Sequence, residues 1–314
     1  MSEVASEKTR GTTLTPSCVV VGHRQRPAMT IPIRTDLIDV ITPSRRGFHY
    51  YRRILQEAAL NPQRWMHHHF IVIFDDDHEN NVHALLRWLD KARETMVLPR
   101  ISATNAPAGS PDILRQIGLG MGSNPYVYFQ DDDDPLPLHL DQCMKLMEHG
   151  HLDAVFGGTE TITERGMTVE QFPRIINGKF VGDVLAGQAL FPSYGHPLAA
   201  LFTRKVLQRV PIYDGSHYHN GNALPFNVRF MNSCVIITAL PDICRRVRLH
   251  RDNDTGILNT RSAMELATDI RQWRDYIHNP SVVKFQSIIA DYLETGWIKT
   301  FCEIATLVDE ELGN

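Results

Sequence analysis

Between Tyr126 and Pro137 an apolar, strand-like run passes through Gln130 straight into four consecutive carboxylates, Asp131, Asp132, Asp133 and Asp134, and is stopped by Pro135 and Pro137. Four adjacent acids repel one another and cannot be buried together without compensation. An acid run standing alone is a solvated turn. Placement at the C-terminal end of a strand changes that reading, because open α/β sheets put their ligands outside the carboxyl ends of their strands. All-oxygen ligation at such a point selects a hard divalent cation such as Mg²⁺ or Mn²⁺.

A second run has the same design. Phe70 to Phe74 is continuously β-branched and aromatic, as in a parallel strand buried on both faces, and it ends in Asp75, Asp76 and Asp77. Before it, Leu37 to Ile41 reads as a strand ending at Thr42, Pro43 and Ser44, and helical spacing follows from Tyr50 to Leu60. After it come a helix over Asn81 to Thr95, a short strand opening at Ile101, and a helix over Pro111 to Gly120. The order β-α-β-α-β-α-β predicts an α/β fold with a mostly parallel open sheet of Rossmann type and crossover helices. Two acid clusters at strand C-termini of one sheet then converge on one crevice.

The flanks are less patterned. Residues 1–16 read as a loosely attached extension, and Cys18 to Val21 is a short strand candidate. Beyond Pro137 we expect a helix over Leu138 to Glu148, a strand over Ala154 to Phe156, and a Gly-, Pro- and aromatic-rich stretch from Gly157 to about Pro197. A helix over Thr203 to Arg209 and two strands, Cys234 to Ala239 and Val247 to Leu249, follow. The tail from Ser262 to Leu312 has helical spacing with a break at Asn279 and Pro280, and is a candidate lid, sheet cover or homo-oligomerisation element.

Composition narrows the classes of function. The chain has 314 residues, 43% of them hydrophobic, enough for a large core. A net charge of −4, from 32 basic and 36 acidic residues, gives no polyelectrolyte case for nucleic acid. The local basic clusters, Arg45 with Arg46, Arg52 with Arg53, and Arg245, Arg246 and Arg248, are short. Five scattered cysteines, Cys18, Cys143, Cys234, Cys244 and Cys302, form no Cys-x-x-Cys and fit a reducing, cytoplasmic setting. The polar start, Ser2 to Thr15, has no signal-peptide character, and no run approaches the length of a membrane span.

Taken together, residues 37–255 resemble the family 2-like nucleotide-sugar glycosyltransferases of the GT-A fold. The resemblance rests on Val40 to Ser44 as the first strand end, Ile73 to Asp76 as the second, Arg115 to Gly118 as a helix start, Asp131 to Asp134 as an Asp-x-Asp-Asp motif, and His250 before a small polar segment. It implies a GT-A-like catalytic domain over 37–255, with a nucleotide-binding half of about 37–137 and an acceptor half of about 138–255. The extension 1–36 precedes it, and the helical C-terminal segment 256–314 follows. It further implies a UDP-sugar donor and Mn²⁺ or Mg²⁺. Asp131, Asp133 and His250 would be the metal ligands, although the residues alone do not choose among the four acids. Asp76 would accept from the imide N–H of the donor base, Thr42, Pro43 and Ser44 would frame that ring, Asp132 would stand beside the donor, and Arg115 would reach the diphosphate. The run His67, His68, His69 reads instead as the start of a strand, since neighbouring strand positions face opposite ways.

The chain departs from the family at one point. Inverting members carry Glu-Asp six or seven residues before a helical Arg; that Arg is Arg229, and the acid positions hold Asn222 and Ala223. The nearest candidate bases are Asp214, His217 and His219, and histidine can serve near neutral pH. A neighbour replaces the base, or the transfer is retaining, or the chain binds donor without turnover. A nucleotidyltransferase is the other enzyme class with metal-binding acids on such a sheet, but Thr42 to Gly47 is no Gly-rich phosphate loop. The acceptor, be it a glycan, metabolite, protein or modified DNA base, is not written in these motifs.

Overall fold

The structure, a computed structural model, describes residues 19–21, 38–76, 80–172, 200–213, 226, 229–230, 233, 235–249, 260–274 and 280–296. The N-terminal half alternates as expected: β1 (Val19–Val21), β2 (Ile38–Ser44), α1 (Phe48–Leu60), α2 (Pro62–Trp65), β3 (His69–Phe74), α3 (Asn80–Ala92), β4 (Arg100–Asn105), α4 (Pro111–Met121) and β5 (Tyr126–Phe129). Strands β4, β3, β2 and β5 lie side by side and parallel, with Val40 opposite both Phe70 and Tyr128. Strand β1 closes the outer edge antiparallel to β4.

The continuous apolar runs are divided between two layers by the period of two along a strand. Phe70, Val72 and Phe74 of β3 join Ile38 and Val40 of β2 in one core, packed against Tyr51, Ile54 and Leu55 of α1 and Leu85 and Leu89 of α3. Ile71 and Ile73 join Ile41, Val127 and Phe129 on the other face, under Leu114 and Leu119 of α4. Both faces are therefore covered, which is why apolar residues dominate these strands.

The second half is mixed. It comprises α5 (Leu140–Gly150), β6 (Ala154–Thr163), β7 (Thr168–Phe172), β8 (Ala200–Thr203), α6 (Arg204–Arg209) and β9 (Ile237–Leu249). Strand β8 joins the parallel half antiparallel to β5, β6 runs antiparallel to β8 and β7, and β9 runs parallel to β6. The sheet is thus parallel from β4 to β5 and mixed beyond β5.

Three expectations need correcting here. The strand expected over Ala154 to Phe156 is longer: β6 continues through Gly157 and Gly158 to Thr163, and β7 follows. The two strands expected around Ala239 and Leu249 are one, β9, with Pro241 inside it. Residue 157 of β6 faces a bulge, since Phe156 pairs with Ala239 and Gly158 with Ile243, and a bulge tolerates proline. A Cβ at Gly157 would overlap Cys244, so the bulge also depends on that glycine. Finally, Arg115 to Gly118 occupies the middle of α4, not its start, because Pro111 already sets the first turn.

At the C-terminal side α7 (Thr260–Arg274) and α8 (Pro280–Thr295) form a helical extension, with Arg271 paired to Asp291 and Glu294 at 2.7 Å each. Among the described residues no helix is long and apolar enough to cross a membrane.

Candidate active site

The acid run turns around one side chain. Gln130 is buried, and its Nε2 donates to the carbonyls of Asp131, Asp134 and Pro135 at 3.0, 3.1 and 3.3 Å. Beyond the turn, the Leu136 N–H donates to Glu57 of α1 at 3.1 Å, which fastens the Pro135 to Pro137 segment to the first layer.

Asp132 points to the end of β2, accepting from Ser44 Oγ at 2.7 Å and from the Arg46 N–H at 3.4 Å. Asp131, Asp133 and Asp134 come together, one oxygen from each lying within 4.8 Å of the others. Three hard oxygen donors at that separation fit Mg²⁺ or Mn²⁺. The trio differs from the pair implied by the resemblance by including Asp134. His250, the third ligand so implied, follows the last residue of β9 and lies outside the described residues.

Compensation comes from three arginines on three elements. Asp131 pairs with Arg115 of α4 at 2.9 Å and with Arg245 of β9 at 3.1 Å. Asp134 pairs with the same Arg245 nitrogen at 3.2 Å and accepts from the Arg248 N–H at 2.9 Å. Asp133 pairs with Arg46, in the connection between β2 and α1. Even so, burial and the neighbouring acids raise two of the carboxyls. Asp132 is pushed up to about 6, by burial first and then by Asp133 and Asp131, against the Ser44 bond. Asp134 is pushed up to about 7, again by burial first, with Arg245 opposing. Burial works against the Arg245 cation, yet Asp134 and Asp131 outweigh it and its pKa is raised.

The second acid cluster meets the first across the end of β2. The Asp75 N–H donates to the Ser44 carbonyl at 2.8 Å, so Ser44 touches Asp75 with its backbone and Asp132 with its hydroxyl. Asp75 accepts from the Ala108 and Gly109 N–H groups at 2.9 and 3.0 Å and pairs with Arg45 at 3.4 Å. Asp76 accepts from Asn81 Nδ2 at 2.9 Å and stays half-buried at the rim. The two acid clusters therefore meet at the C-terminal edge of β3, β2 and β5.

The remaining expected residues divide as follows. Thr42 and Pro43 are buried two and one places back from the β2 end, and Thr42 Oγ1 has no hydrogen-bond partner among the described residues. Arg115 is buried between Asp112, at 2.7 Å, and Asp131. Arg229 donates to the carbonyls of Pro211 and Ile212 at 3.0 and 3.1 Å. Asp214, His217 and His219 lie outside the described residues, as do Asn222 and Ala223. Sequence reasoning missed Arg46, Arg245 and Gln130. A signal for Arg46 existed: four carboxylates need cations, and Arg46 stands two residues beyond the end of β2, which abuts them.

At the opposite end of the parallel strands stands a Ser–His–Asp arrangement. His69 Nε2 lies 2.8 Å from Ser102 Oγ, and its Nδ1 lies 3.1 Å from Asp39 Oδ1. Their exposures are 3, 2 and 0% respectively, so no substrate reaches the hydroxyl. Asp39 also takes Arg204, which donates to the carbonyls of Asn124 and Leu119 at 2.7 and 2.6 Å. The network ties α6 to the parallel half and is structural. It also explains His69 as a strand residue, as expected from the sequence.

No family model and no curated relative matches the chain at the level of sequence. Solved structures do. S. aureus TarS 1–349 in complex with UDP-GlcNAc superposes with a TM-score of 0.56 at 14% identity, over 82% of this chain and 71% of that one. The mannosyltransferase PcManGT from Pyrobaculum calidifontis, in complex with GDP-Man and Mn²⁺, gives 0.56 at 14% identity, over 88% of this chain and 74% of that one. At such identity the likeness is one of fold. The chain has the α/β, GT-A-type fold of nucleotide-sugar glycosyltransferases, with a helical C-terminal extension.

Proposed function

We propose that this protein is a metal-dependent glycosyltransferase that moves a sugar from a nucleotide sugar, a UDP-sugar, to an acceptor hydroxyl. The observation that carries the reading is the convergence of Asp131, Asp133 and Asp134 at the C-terminal end of β5, two strands from Asp76 at the end of β3. These are the places where a GT-A sheet would receive diphosphate and base. That both neighbours named above hold nucleotide sugars, one with Mn²⁺, supports it.

In this reading Asp131, Asp133 and Asp134, with His250, hold Mn²⁺ or Mg²⁺. The cation supplies Lewis-acid neutralisation of the charge that grows on the departing diphosphate. Asp132 fixes the β2 end through Ser44, and buried Arg115 orients Asp131. Asp76 accepts from the imide N–H of uracil, beside the frame made by Thr42, Pro43 and Ser44. Asp214, His217 or His219 deprotonates the acceptor if the transfer inverts; retention of the anomeric configuration, read by NMR of the product, would remove that role. The catalytic unit spans 37–255, divided near 137 into donor and acceptor halves, and 256–314 is an accessory helical segment suited to homo-oligomerisation.

The test is release of free nucleoside diphosphate from UDP-sugars in Mn²⁺, with GDP-mannose as comparison. We expect release in Mn²⁺, none in excess EDTA, and a loss of about 10²-fold or more in Asp133→Asn. Full activity in EDTA would sink the metal role, and pyrophosphate-dependent UTP formation would move the protein to the nucleotidyltransferases.

A further inference from the structure

The acid turn already holds cations. Arg245 Nη2 sits 3.1 Å from Asp131 Oδ2 and 3.2 Å from Asp134 Oδ2, one nitrogen between two of the three prospective ligands. Arg46 is paired to the third, Asp133. A divalent cation binds carboxylate oxygens at about 2.0–2.6 Å. It cannot take Asp131 and Asp134 together while a guanidinium stands between them, and its charge would repel that guanidinium. Arg245 is in effect a stand-in for the cation.

The three arginines are not equivalent. Arg115 is 3% exposed and also serves Asp112, itself buried, so moving it would strand a second charge in the interior. Arg245 and Arg46 are 14% and 23% exposed, both more than Arg115. Arg46 would keep a partner on leaving Asp133, since its Cζ already lies 5.4 Å from the centroid of the Tyr50 ring, which Arg53 shares at 5.3 Å.

We propose that Arg245 and Arg46 are exchangeable counter-cations: they hold the acid turn when no metal is bound, yield to the divalent cation, and then bind the diphosphate that arrives with it. A displaced, partly buried guanidinium needs an anion, and planar guanidinium groups suit phosphate oxygens. The same arginines thus oppose metal binding alone and favour nucleotide binding in the presence of metal. The inference rests on the metal-dependent reading of the site.

The opposite signs make it testable with the full-length chain. Free Mn²⁺ is counted by electron paramagnetic resonance, and UDP and GDP affinities in saturating Mn²⁺ are measured by calorimetry. Wild type is compared with Arg245→Gln, Arg46→Gln and Asp133→Asn, each checked for folding by circular dichroism. We expect Arg245→Gln to bind Mn²⁺ alone about tenfold more tightly and nucleoside diphosphate about tenfold more weakly, with Arg46→Gln moving the same way by less. Arg46→Gln carries the test if Arg245→Gln fails to fold, because its site is more exposed. Arginine variants that weaken both affinities, or change neither, while wild type binds metal and Asp133→Asn does not, overturn the exchange and leave the metal reading standing. Absence of Mn²⁺ binding by wild type with or without nucleotide, or undiminished binding by Asp133→Asn, overturns both.

Discussion

Asp132 and Asp131 are neighbours in the chain and strangers in their surroundings. Asp131 faces two guanidinium groups, whereas Asp132 faces a serine hydroxyl and a backbone N–H and is pushed up to about 6. A buried carboxyl whose folded pKa is raised costs nothing below its unfolded value, where both states are protonated. As pH climbs from about 4 through 6 the unfolded chain releases the proton first, so folding loses stability, and above the folded value the loss is complete. For Asp132 this amounts to roughly 2–3 kcal/mol. Asp132→Asn carries no such cost, so in metal-free buffer its stability relative to wild type should rise by about that amount between pH 4.5 and 8. Denaturant midpoints at the two pH values check this; a difference independent of pH would mean the carboxyl is not buried as described. Asp76 makes a separate case. If it reads the donor base, Asp76→Ala should raise the UDP dissociation constant about tenfold and leave saturated turnover nearly unchanged, because the base contact is the same in ground and transition states. Unchanged UDP affinity in a titration would remove Asp76 from the donor site.

Among the elements, α4 offers the sharpest contrast. A Cβ at Gly118 would overlap Ile41 of β2 and come within 2.6 Å of Ile73 Cδ1 of β3, whereas one at Gly120 meets nothing within 4 Å. Gly118→Ala should therefore cost about 1–3 kcal/mol by overpacking the helix against the sheet. Gly120→Ala should stabilise by about 0.5–1 kcal/mol, since alanine restricts the unfolded chain and favours helix. Chemical denaturation of the two variants separates them, and equal effects would contradict the packing of α4. The same elements show what could be read in advance. Strands β3 and β5 were legible because their pairing buries both faces and leaves an unbroken apolar run, and β2 because Asp39 alone interrupts Leu37 to Ile41. Strand β9 was not, because Pro241 and Asp242 break that run, and the strand is held by its parallel pairing with β6, far earlier in the chain. Likewise Gly157 and Gly158 look like loop residues until the bulge and Cys244 give them a reason.

For the molecule as a whole, a parallel sheet gathers strand ends that are far apart in sequence onto one edge. Ser44, Asp75, Asp76 and Asp131 to Asp134 could be placed there from the sequence, since each ends an apolar run. Arg245 could not, for it comes from β9, and nothing local in Arg245, Arg246 and Arg248 says which of them turns inward: Arg245 goes to Asp131, while Arg246 pairs with Glu160 at 3.0 Å. What converges at that edge is a set of carboxylates suited to a divalent cation, and the claim that this cation couples the fold to a nucleotide diphosphate is the one on which the rest depends. Its most direct measurement is a calorimetric titration of UDP, with GDP beside it, into the full-length protein in Mn²⁺ and again in excess EDTA. We predict saturable binding in Mn²⁺ that falls at least tenfold in EDTA and in Asp133→Asn; binding of equal strength with and without the metal would contradict the account.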